Sequence, residues 1–424
     1  MKRYILPLAA VLLFSANASH AQFLNKLKKK AEAAVNKAID EGEAPKVKKP
    51  KAEQPVPQAG NTAQAEQPAT DAPQATPLQS YTKYDFIPGQ NLIYTDNFMG
   101  EAAGELPASW NSNGNGAVTK LNNFEGNWMR LAQNATYLPG KELKSTDNFT
   151  LEFDVIFDFK SNGYGFPEFT VGMLATGKKA VGANDFLSER IGTRTFDMQL
   201  SNGTERTNIR VSSYQVHTSY FRSPVKTNDD LPKNFGKVNH IALQAQKERL
   251  RIWINGEKIL DAPKGIPAGD PLNQLFFYVS SSNYKEDQLG IFISNIKVAQ
   301  GAPDLRNKLV NEGRFSTSGI LFDVNAATIK PESNGILAEI AAVLKDNPTI
   351  NINIIGHTDA DGNAAANQKL SLARSESVKN TFVTTYSIDA SRLQVAGKGA
   401  AQPVAPNTTQ TGKAQNRRVE FLKL

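Results

Sequence analysis

One stretch near the C-terminus strongly constrains what this part of the chain can fold into. Residues 349–355 alternate apolar and polar side chains and are rich in β-branched residues, the pattern of a half-buried strand. The run Asp-Gly-Asn at residues 361–363 favours a turn that ends the strand. From residue 370 to residue 382, apolar side chains recur at roughly helical spacing. The sequence therefore predicts a strand, a turn and a helix.

Two oppositely charged side chains belong to this unit. Asp359 stands at the mouth of the predicted strand, and Arg374 lies about two turns into the predicted helix. A carboxylate accepts hydrogen bonds from an ammonium group, and a planar guanidinium binds a carboxylate through two parallel hydrogen bonds. Together they are able to hold the amino-acid end of a diamino acid, and free amides at the helix start can hold further negative charge. The alternative is an ordinary salt bridge with no ligand.

The amino-acid sequence around these residues is similar to that of a known family. The matching runs are residues 321–325 (LFDVN), 329–332 (IKPE), 357–362 (HTDADG), 367–374 (NQKLSLAR), 389–393 (DASRL) and 416–420 (NRRVE). In this order, they make residues 313–424 resemble the OmpA-like C-terminal domain, the peptidoglycan-binding module of outer-membrane proteins, peptidoglycan-associated lipoproteins and flagellar stator proteins. The resemblance implies an α+β domain of two layers.

The resemblance also implies a ligand and a set of site residues. In that family, the aspartate of the HTD run and the arginine of the LSxxR run hold the diaminopimelate of the peptidoglycan stem, which gives these roles to Asp359 and Arg374. Asn325, Asn367 and Arg417 match positions that line the same pocket. The implied function is noncovalent, non-enzymatic binding without a cofactor or metal. We interpret His357 as structural, because no Ser, Cys or metal-ligand partner lies at a useful spacing.

Spacing and turn residues predict the other elements of this domain. We expect a strand at residues 319–323, a helix from Pro331 to about residue 346, a strand at 393–397, a Pro-rich loop at 403–412 and a final strand at 418–422.

The N-terminus carries an export signal. Two basic residues precede an apolar run at residues 5–14, which is too short to span a membrane, and Ser19-His20-Ala21 supplies small residues at the usual cleavage positions. We therefore expect residues 1–21 to be a signal peptide and the protein to be periplasmic and associated with the outer membrane. The chain has no cysteine, which excludes disulfides and a lipid-modified cysteine. The 48 Lys and Arg against 41 Asp and Glu are too dispersed to indicate nucleic-acid binding.

The segment after the signal divides into two parts. Residues 22–42 place apolar side chains at three- and four-residue steps among several lysines, which predicts a short amphipathic helix. Such a helix can bind a membrane surface or an outer-membrane or envelope protein partner, or it can be a marginal, solvated helix. Residues 43–80 are rich in Pro, Ala and Gln, which predicts a disordered linker.

Residues 81–300 contain repeated short runs of alternating polarity. The run 149–159 places six apolar side chains on one face, and residues 238–246 and 250–260 follow the same rule, with turns at 247–249 and 255–256. We predict an antiparallel β-sandwich, followed by a linker at 301–312. The hairpin at 253–259 (WINGEKI) resembles the concanavalin A-like, laminin G-like jelly roll, in which such domains bind glycans, hydrolyse them or only provide shape.

Three roles remain open for the sandwich. Hydrolysis of a glycan needs two suitably spaced carboxylates, and Glu152, Asp154 and Asp158 share a strand face. The positions for a second glutamate hold Ile156 and Phe157, so a general acid is missing. Glycan binding through stacked rings and a calcium site are the other two roles. The ring candidates are Trp110, Trp128, Tyr164 and Tyr284, and the calcium candidates are Asp185, Asp229 and Asp230.

Overall fold

The computed structural model describes residues 85–144, 147–301 and 304–424. The predicted signal peptide, N-terminal helix and linker, residues 1–80, lie outside the described residues. Over the described ranges, no helix combines the length and the apolar content that crossing a membrane requires.

Two eight-stranded antiparallel sheets form the part of the chain before residue 301. The strands of the first sheet, in spatial order, are β14 (Glu257–Ala262), β13 (Arg249–Ile254), β12 (Val238–Gln246), β6 (Asn148–Phe159), β16 (Leu289–Gln300), β4 (Phe124–Leu131) and β3 (Gly116–Leu121), with β1 (Asn91–Asp96) also paired to β16.

The second sheet is built in the same way. Its strands, in spatial order, are β10 (Thr218–Arg222), β9 (Thr207–Gln215), β8 (Arg194–Asn202), β7 (Glu168–Leu174), β15 (Gln274–Val279), β5 (Ala135–Pro139) and β2 (Trp110–Ser112), with β11 (Lys226–Asn228) also paired to β9. A short helix α1 (Asp185–Ser188) and two 3₁₀ turns, Pro232–Asn234 and Glu286–Gln288, lie between strands.

The two sheets pack face to face around one core, which confirms the predicted sandwich. The alternating apolar residues of β6 all point into this core. Phe153 of the first sheet packs edge-on against Phe277 of the second, with ring centroids 5.3 Å apart. At the β13–β14 turn, Asn255 and Gly256 both have positive φ, 49° and 85°, as the predicted tight hairpin requires.

A mixed four-stranded sheet with helices forms the C-terminal domain. The strand order is β17 (Arg314–Thr317), β20 (Val419–Lys423), β18 (Ile352–Gly356) and β19 (Leu393–Gly397), and only β18 and β19 are parallel. The helices are α2 (Asn334–Asp346), α3 (Ala364–Thr384) and α4 (Gln410–Asn416), with 3₁₀ turns at Pro331–Ser333 and Ala390–Arg392.

Three predictions for this region are wrong or incomplete. The strand expected at 319–323 is a loop with a single bridge between Phe322 and Ile329, and the first strand is β17. The Pro-rich loop ends at α4, because the Thr409 side chain caps a helix by accepting a hydrogen bond from the Gly412 amide. The predicted linker forms a π-helical turn, Asn307–Asn311, and Leu305 and Leu309 are buried in the C-terminal core.

A strap at residues 85–90 lies between the sandwich and the C-terminal domain. Phe86 is fully buried against Ala242 and Trp253 on the outer face of the first sheet, with its ring 5.2 Å from that of Trp253. On its other side, the Phe86 carbonyl lies so close to α2 that a Cβ atom on Gly335 would come within 2.0 Å of it. The two domains are therefore in close contact through this strap.

A buried charged cluster lies on the same outer face. His240 Nδ1 is 2.7 Å from Asp154, and its Nε2 is 3.5 Å from Glu152. Burial alone would lower the pKa of His240, but hydrogen bonding to Asp154 and Glu152 outweighs it and raises the pKa to about 10. Burial would raise the pKa of Asp154, but the hydrogen bond and charge of His240, with smaller contributions from Asn295 and from Lys330 of the C-terminal domain, outweigh it and lower that pKa. The imidazolium therefore offsets one of the two buried negative charges.

A second contact joins the domains through helix α4. The side chain of Gln415 donates a hydrogen bond of 3.0 Å to the Leu92 carbonyl, and that of Gln410 donates one of 2.8 Å to the Met99 carbonyl. Ala414 packs against Leu92 and Ala299. Helix α4 is thus seated on the edge strand β1.

We predict that Gly335→Ala destabilises the protein, although alanine is normally favoured over glycine in a helix by up to about 1 kcal/mol. The added methyl group meets the Phe86 carbonyl, so the strap or α2 must shift, at a cost of roughly 1–3 kcal/mol. Denaturant unfolding should show this loss, together with faster proteolysis of the strap.

Gly165→Ala is the matched control, because nothing lies within 4 Å of a Cβ atom there. Its unfolding free energy should be unchanged. Equal or higher stability for Gly335→Ala would show that the close contact with the strap does not exist in solution.

Candidate functional site

Small residues let helix α3 approach the sheet closely beside the predicted site. A Cβ atom on Gly356 would lie 2.2 Å from the Ser371 carbonyl, and one on Gly397 would lie 2.5 Å from the Leu372 amide. Ser375 donates a hydrogen bond of 2.9 Å to the Ala396 carbonyl, tying the helix to β19. The ends of β18 and the middle of α3 are therefore held at a fixed, short separation.

Asp359 lies just beyond the end of β18, with only 9% of the residue exposed. One carboxylate oxygen accepts a hydrogen bond of 3.1 Å from the Asp361 amide. The other accepts a hydrogen bond from the Arg417 guanidinium, with 2.5 Å between the two atoms. This carboxylate is thus oriented by the turn and neutralised by an arginine in the ligand-free protein.

Arg374 lies on the α3 face that meets the same region. Its Nε donates a hydrogen bond of 3.0 Å to the Ala326 carbonyl, and the guanidinium carbon lies 4.9 Å from the centre of the Phe322 ring. Within the described chain, its two terminal nitrogens donate no hydrogen bond. Burial, followed by the charge of Arg417, lowers the pKa of Arg374, and Asp359 opposes that shift. The three charged groups therefore act on one another.

The two predicted asparagines have different positions. Asn325 is exposed, in the left-handed conformation with φ of 54°, next to the Ala326 carbonyl that holds Arg374. The Asn367 side-chain amide donates a hydrogen bond of 2.8 Å to the Asp361 carbonyl and lies 3.4 Å from the Asp359 carbonyl. Asn367 therefore supports the turn that carries Asp359.

One expectation about the helix start is wrong. The amides of Ala365 and Ala366 are not free, because the Asn363 side chain accepts hydrogen bonds from both, at 2.8 and 3.2 Å. Residue 363 is the cap of α3, so the local sequence satisfies its own first amides. These two amides are therefore not available to a ligand.

Sequence reasoning missed a second buried network behind the site. Glu420 on β20 is 4% exposed and pairs with Arg314, and its Oε2 lies 3.3 Å from His357 Nε2. Burial, together with the charge of Arg418, lowers the pKa of His357 to about 4, so the imidazole is neutral at pH 7. Arg418 faces this network, whereas Arg417 faces Asp359. An acidic residue inside an otherwise apolar strand was the available signal.

The sandwich does not present most of the aromatic rings named as sugar-stacking candidates. Trp110, Trp128 and Tyr284 are at least 94% buried, since their exposed fractions are 6%, 3% and 5%. The Trp110 indole donates a hydrogen bond to Asp96, and the Tyr284 hydroxyl donates one to the Tyr164 carbonyl. Of these four, only Tyr164 is exposed. The others are buried because a sandwich of this size needs large side chains in its interior.

Four of the six carboxylates named for hydrolysis or calcium binding, those of Glu152, Asp154, Asp185 and Asp230, lie beside a basic side chain, and Asp158 and Asp229 are exposed. Glu152 and Asp154 are buried beside His240, which separates them from any polysaccharide, and Asp158 alone of that strand face is exposed. Asp185 pairs with Lys179 at 2.6 Å, and Asp230 pairs with Lys233 at 2.7 Å. Over residues 85–144, 147–301 and 304–424, no three acidic or histidine side chains come together as metal ligands.

Another titratable cluster, on the outer face of the second sheet, was not predicted. Asp197 on β8 is 9% exposed and accepts a hydrogen bond of 3.0 Å from Gln199. Burial, with a smaller contribution from Glu168, raises the pKa of Asp197 to about 7. Because the folded protein favours the protonated form, ionisation of Asp197 lowers stability as the pH rises from about 4 to about 7.

We predict that Asp197→Asn removes this pH-dependent loss. The unfolding free energy of the variant relative to the parent should rise between pH 4 and pH 7 and then level off. Because the folded-state pKa is near 7 and the unfolded value is 3.8, the variant should be roughly 2–4 kcal/mol more stable than the parent above pH 7. Urea unfolding at several pH values measures the difference, with exposed Asp229→Asn as the control. Parallel stability curves for parent and Asp197→Asn would contradict the raised pKa.

A family model described as the OmpA family matches residues 321–417. The probable lipoprotein YiaD of Escherichia coli is 44% identical over 104 residues, which cover 24% of this chain and 47% of that protein. The outer membrane protein Omp38 of Acinetobacter baumannii is 43% identical over 100 residues, covering 24% of this chain and 28% of that protein. The chain thus spans less than half the length of these two relatives.

A further relative is matched over most of its length. The outer-membrane lipoprotein YfiB of Pseudomonas aeruginosa is 35% identical over 140 residues, which cover 32% of this chain and 81% of that protein. The chain therefore belongs to the OmpA family, through the C-terminal domain that the sequence resemblance indicated. It is a cell-envelope protein of the outer membrane or periplasm, which is the location predicted from the sequence.

Proposed function

We propose that the C-terminal domain binds peptidoglycan noncovalently by holding the diaminopimelate of the stem peptide between Asp359 and Arg374. The observation that carries this proposal is the incomplete hydrogen bonding of the Arg374 guanidinium. Its guanidinium is partly buried and anchored through Nε, yet within the described residues both terminal nitrogens lack a hydrogen-bond partner. A group held in this way leaves both terminal nitrogens of its planar fork available to a ligand carboxylate.

The ammonium group of the ligand is assigned to Asp359. This carboxylate is 9% exposed and fixed by the Asp361 amide, so it is preorganised for a cation. A zwitterionic amino-acid centre satisfies both residues at once, which a simple anion or cation does not. Each charge-assisted hydrogen bond contributes about 1.5–3 kcal/mol, and the two rigid elements set the distance between the two groups that the ligand must match.

Arg417 occupies Asp359 in the absence of ligand. Its side chain is 39% exposed, whereas that of Asp359 is only 12% exposed. A ligand ammonium that replaces Arg417 keeps this buried carboxylate paired, so the exchange leaves no unpaired charge. The displaced guanidinium can then contact the ligand carboxylate. Asn325 and Asn367 are proposed to line the same pocket, and Asn367 supports the turn that carries Asp359 through its hydrogen bond to the Asp361 carbonyl.

The rest of the chain is proposed to connect this anchor to the outer membrane or to a partner. The N-terminal helix, residues 22–42, is the proposed attachment to an envelope protein, and residues 43–80 are the proposed spacer. We assign the sandwich to the concanavalin A-like jelly rolls as a spacing or glycan-binding module. A sandwich enzyme that degrades glycans is the rival function, and the burial of Glu152 beside His240 disfavours it.

We predict that Asp359→Ala and Arg374→Ala each weaken retention on purified cell-wall sacculi by about 10- to 100-fold. This range corresponds to the loss of 1.5–3 kcal/mol of charge-assisted hydrogen bonding. Cosedimentation of the mature chain with sacculi of the diaminopimelate type measures the effect. Arg417→Ala should weaken retention less, because Arg417 is already engaged with Asp359.

Lys369→Ala and Glu376→Ala are matched controls, since both side chains are exposed on the same helix as Arg374. Both controls should be retained like the parent, and circular dichroism should show that all variants are folded. Undiminished retention of folded Asp359→Ala or Arg374→Ala would refute the proposed roles.

A further inference from the structure

Helix α4 contacts the sandwich and the candidate site at the same time. On the sandwich side, Ala414 is 5% exposed and packs against Leu92 of β1. The Gln415 side chain donates a hydrogen bond of 3.0 Å to the Leu92 carbonyl. The Gln410 side chain donates one of 2.8 Å to the Met99 carbonyl. We call these three contacts the α4 seat, and each of them joins the C-terminal domain to the sandwich.

On its other side, α4 presents two cations to the turn that carries Asp359. Lys413 and Arg417 are four residues apart, which is about one helical turn, so their side chains are neighbours. Lys413 Nζ lies 2.8 Å from a carboxylate oxygen of Asp361, and Arg417 pairs with Asp359. Because Asp359 and Asp361 belong to one turn, two adjacent ion pairs connect α4 to the candidate site.

Asp359 and Arg374 are positioned by the C-terminal domain itself. The Asp361 amide fixes the Asp359 carboxylate beyond the end of β18, and the Ala326 carbonyl holds Arg374 on α3. Arg417 differs from both, because it directly follows α4, a helix of only seven residues. A helix this short is marginal on its own, so its position depends on what it packs against. The sandwich is part of that support.

We propose that the sandwich is a positioning element for the candidate site, because it holds α4 where Arg417 stays beside a bound ligand. This inference rests on the proposed function, in which the ligand ammonium displaces Arg417 from Asp359 and the freed guanidinium contacts the ligand carboxylate. A guanidinium can serve both states only if its backbone stays in place while its side chain moves. The α4 seat provides that restraint, and Gln410, Ala414 and Gln415 are positioning residues that act through Arg417.

The contribution of Arg417 limits the size of this effect. When the seat is loosened, α4 samples other positions, so Arg417 spends less time within reach of the ligand and loses preorganisation. The contributions of Asp359 and Arg374 are kept, because the packing of α3 on the C-terminal sheet does not involve the seat. Loss of the seat should therefore weaken binding by no more than Arg417→Ala does.

Calorimetry of the mature chain with meso-diaminopimelate tests the proposal. The double variant Gln410→Met/Gln415→Met removes both side-chain donors and keeps side-chain length and net charge. Its binding should be about three- to tenfold weaker than that of the parent, the equivalent of one hydrogen bond. Gln415→Met alone should show a smaller loss, and circular dichroism should show that both variants are folded. In an Arg417→Ala background, the double substitution should weaken binding less than about twofold, because the residue through which the seat acts is gone.

Gln394→Met and Gln402→Met are the matched controls, since both residues are exposed in the same domain and lie outside the seat. Both should bind diaminopimelate like the parent. Parent-like binding by the folded seat variants, while Asp359→Ala loses binding, would overturn the positioning role and leave the proposed function intact. An undiminished effect of the double substitution in the Arg417→Ala background would also overturn it. Absence of diaminopimelate binding by the parent would overturn the proposed function and this inference together.

Discussion

The close approach of helix α3 to the C-terminal sheet is the constraint on which the candidate site depends. Glycine at 356 and at 397 leaves room for the helix backbone, and the Ser375 hydroxyl fixes it to β19. A larger residue at either glycine would push the helix away. Since Asp359 extends from β18 and Arg374 from α3, their separation is set by this packing and not by flexible side chains. Preorganisation of this kind is what permits two charges to recognise a dipolar ligand.

The sandwich and the C-terminal domain are joined by two packing contacts. Phe86, buried between the outer sheet face and α2, and helix α4, seated on β1, connect the sandwich to the domain that carries the site. His240 offsets one of the two negative charges of Glu152 and Asp154 on the same sheet face, where an unpaired buried charge would be costly. The second of these contacts lies close in sequence to the site, because α4 directly precedes Arg417. The sandwich is therefore in direct contact with the domain that carries the site.

Elements with clear periodicity could be predicted from the sequence, and long-range contacts could not. Strand β12 begins and ends where alternation predicted. Arg417 pairs with Asp359, and its role toward a ligand stays a prediction. The first C-terminal strand was placed wrongly because β17 is short and its partner, β20, lies at the far end of the domain. The burial of Trp110 and the pairing of Glu152 with His240 depend on strands distant in sequence. Local sequence patterns do not predict contacts of this kind.

The central claim is that Asp359 and Arg374 hold one diaminopimelate molecule between them. A crystal structure of the protein soaked with meso-diaminopimelate tests this directly. The account predicts that the ligand ammonium lies within hydrogen-bond distance of the Asp359 carboxylate, that its carboxylate is bound by the two terminal nitrogens of Arg374, and that Arg417 has left Asp359. A ligand bound elsewhere, or an Arg417–Asp359 pair that stays intact with diaminopimelate at saturating concentration, would contradict it.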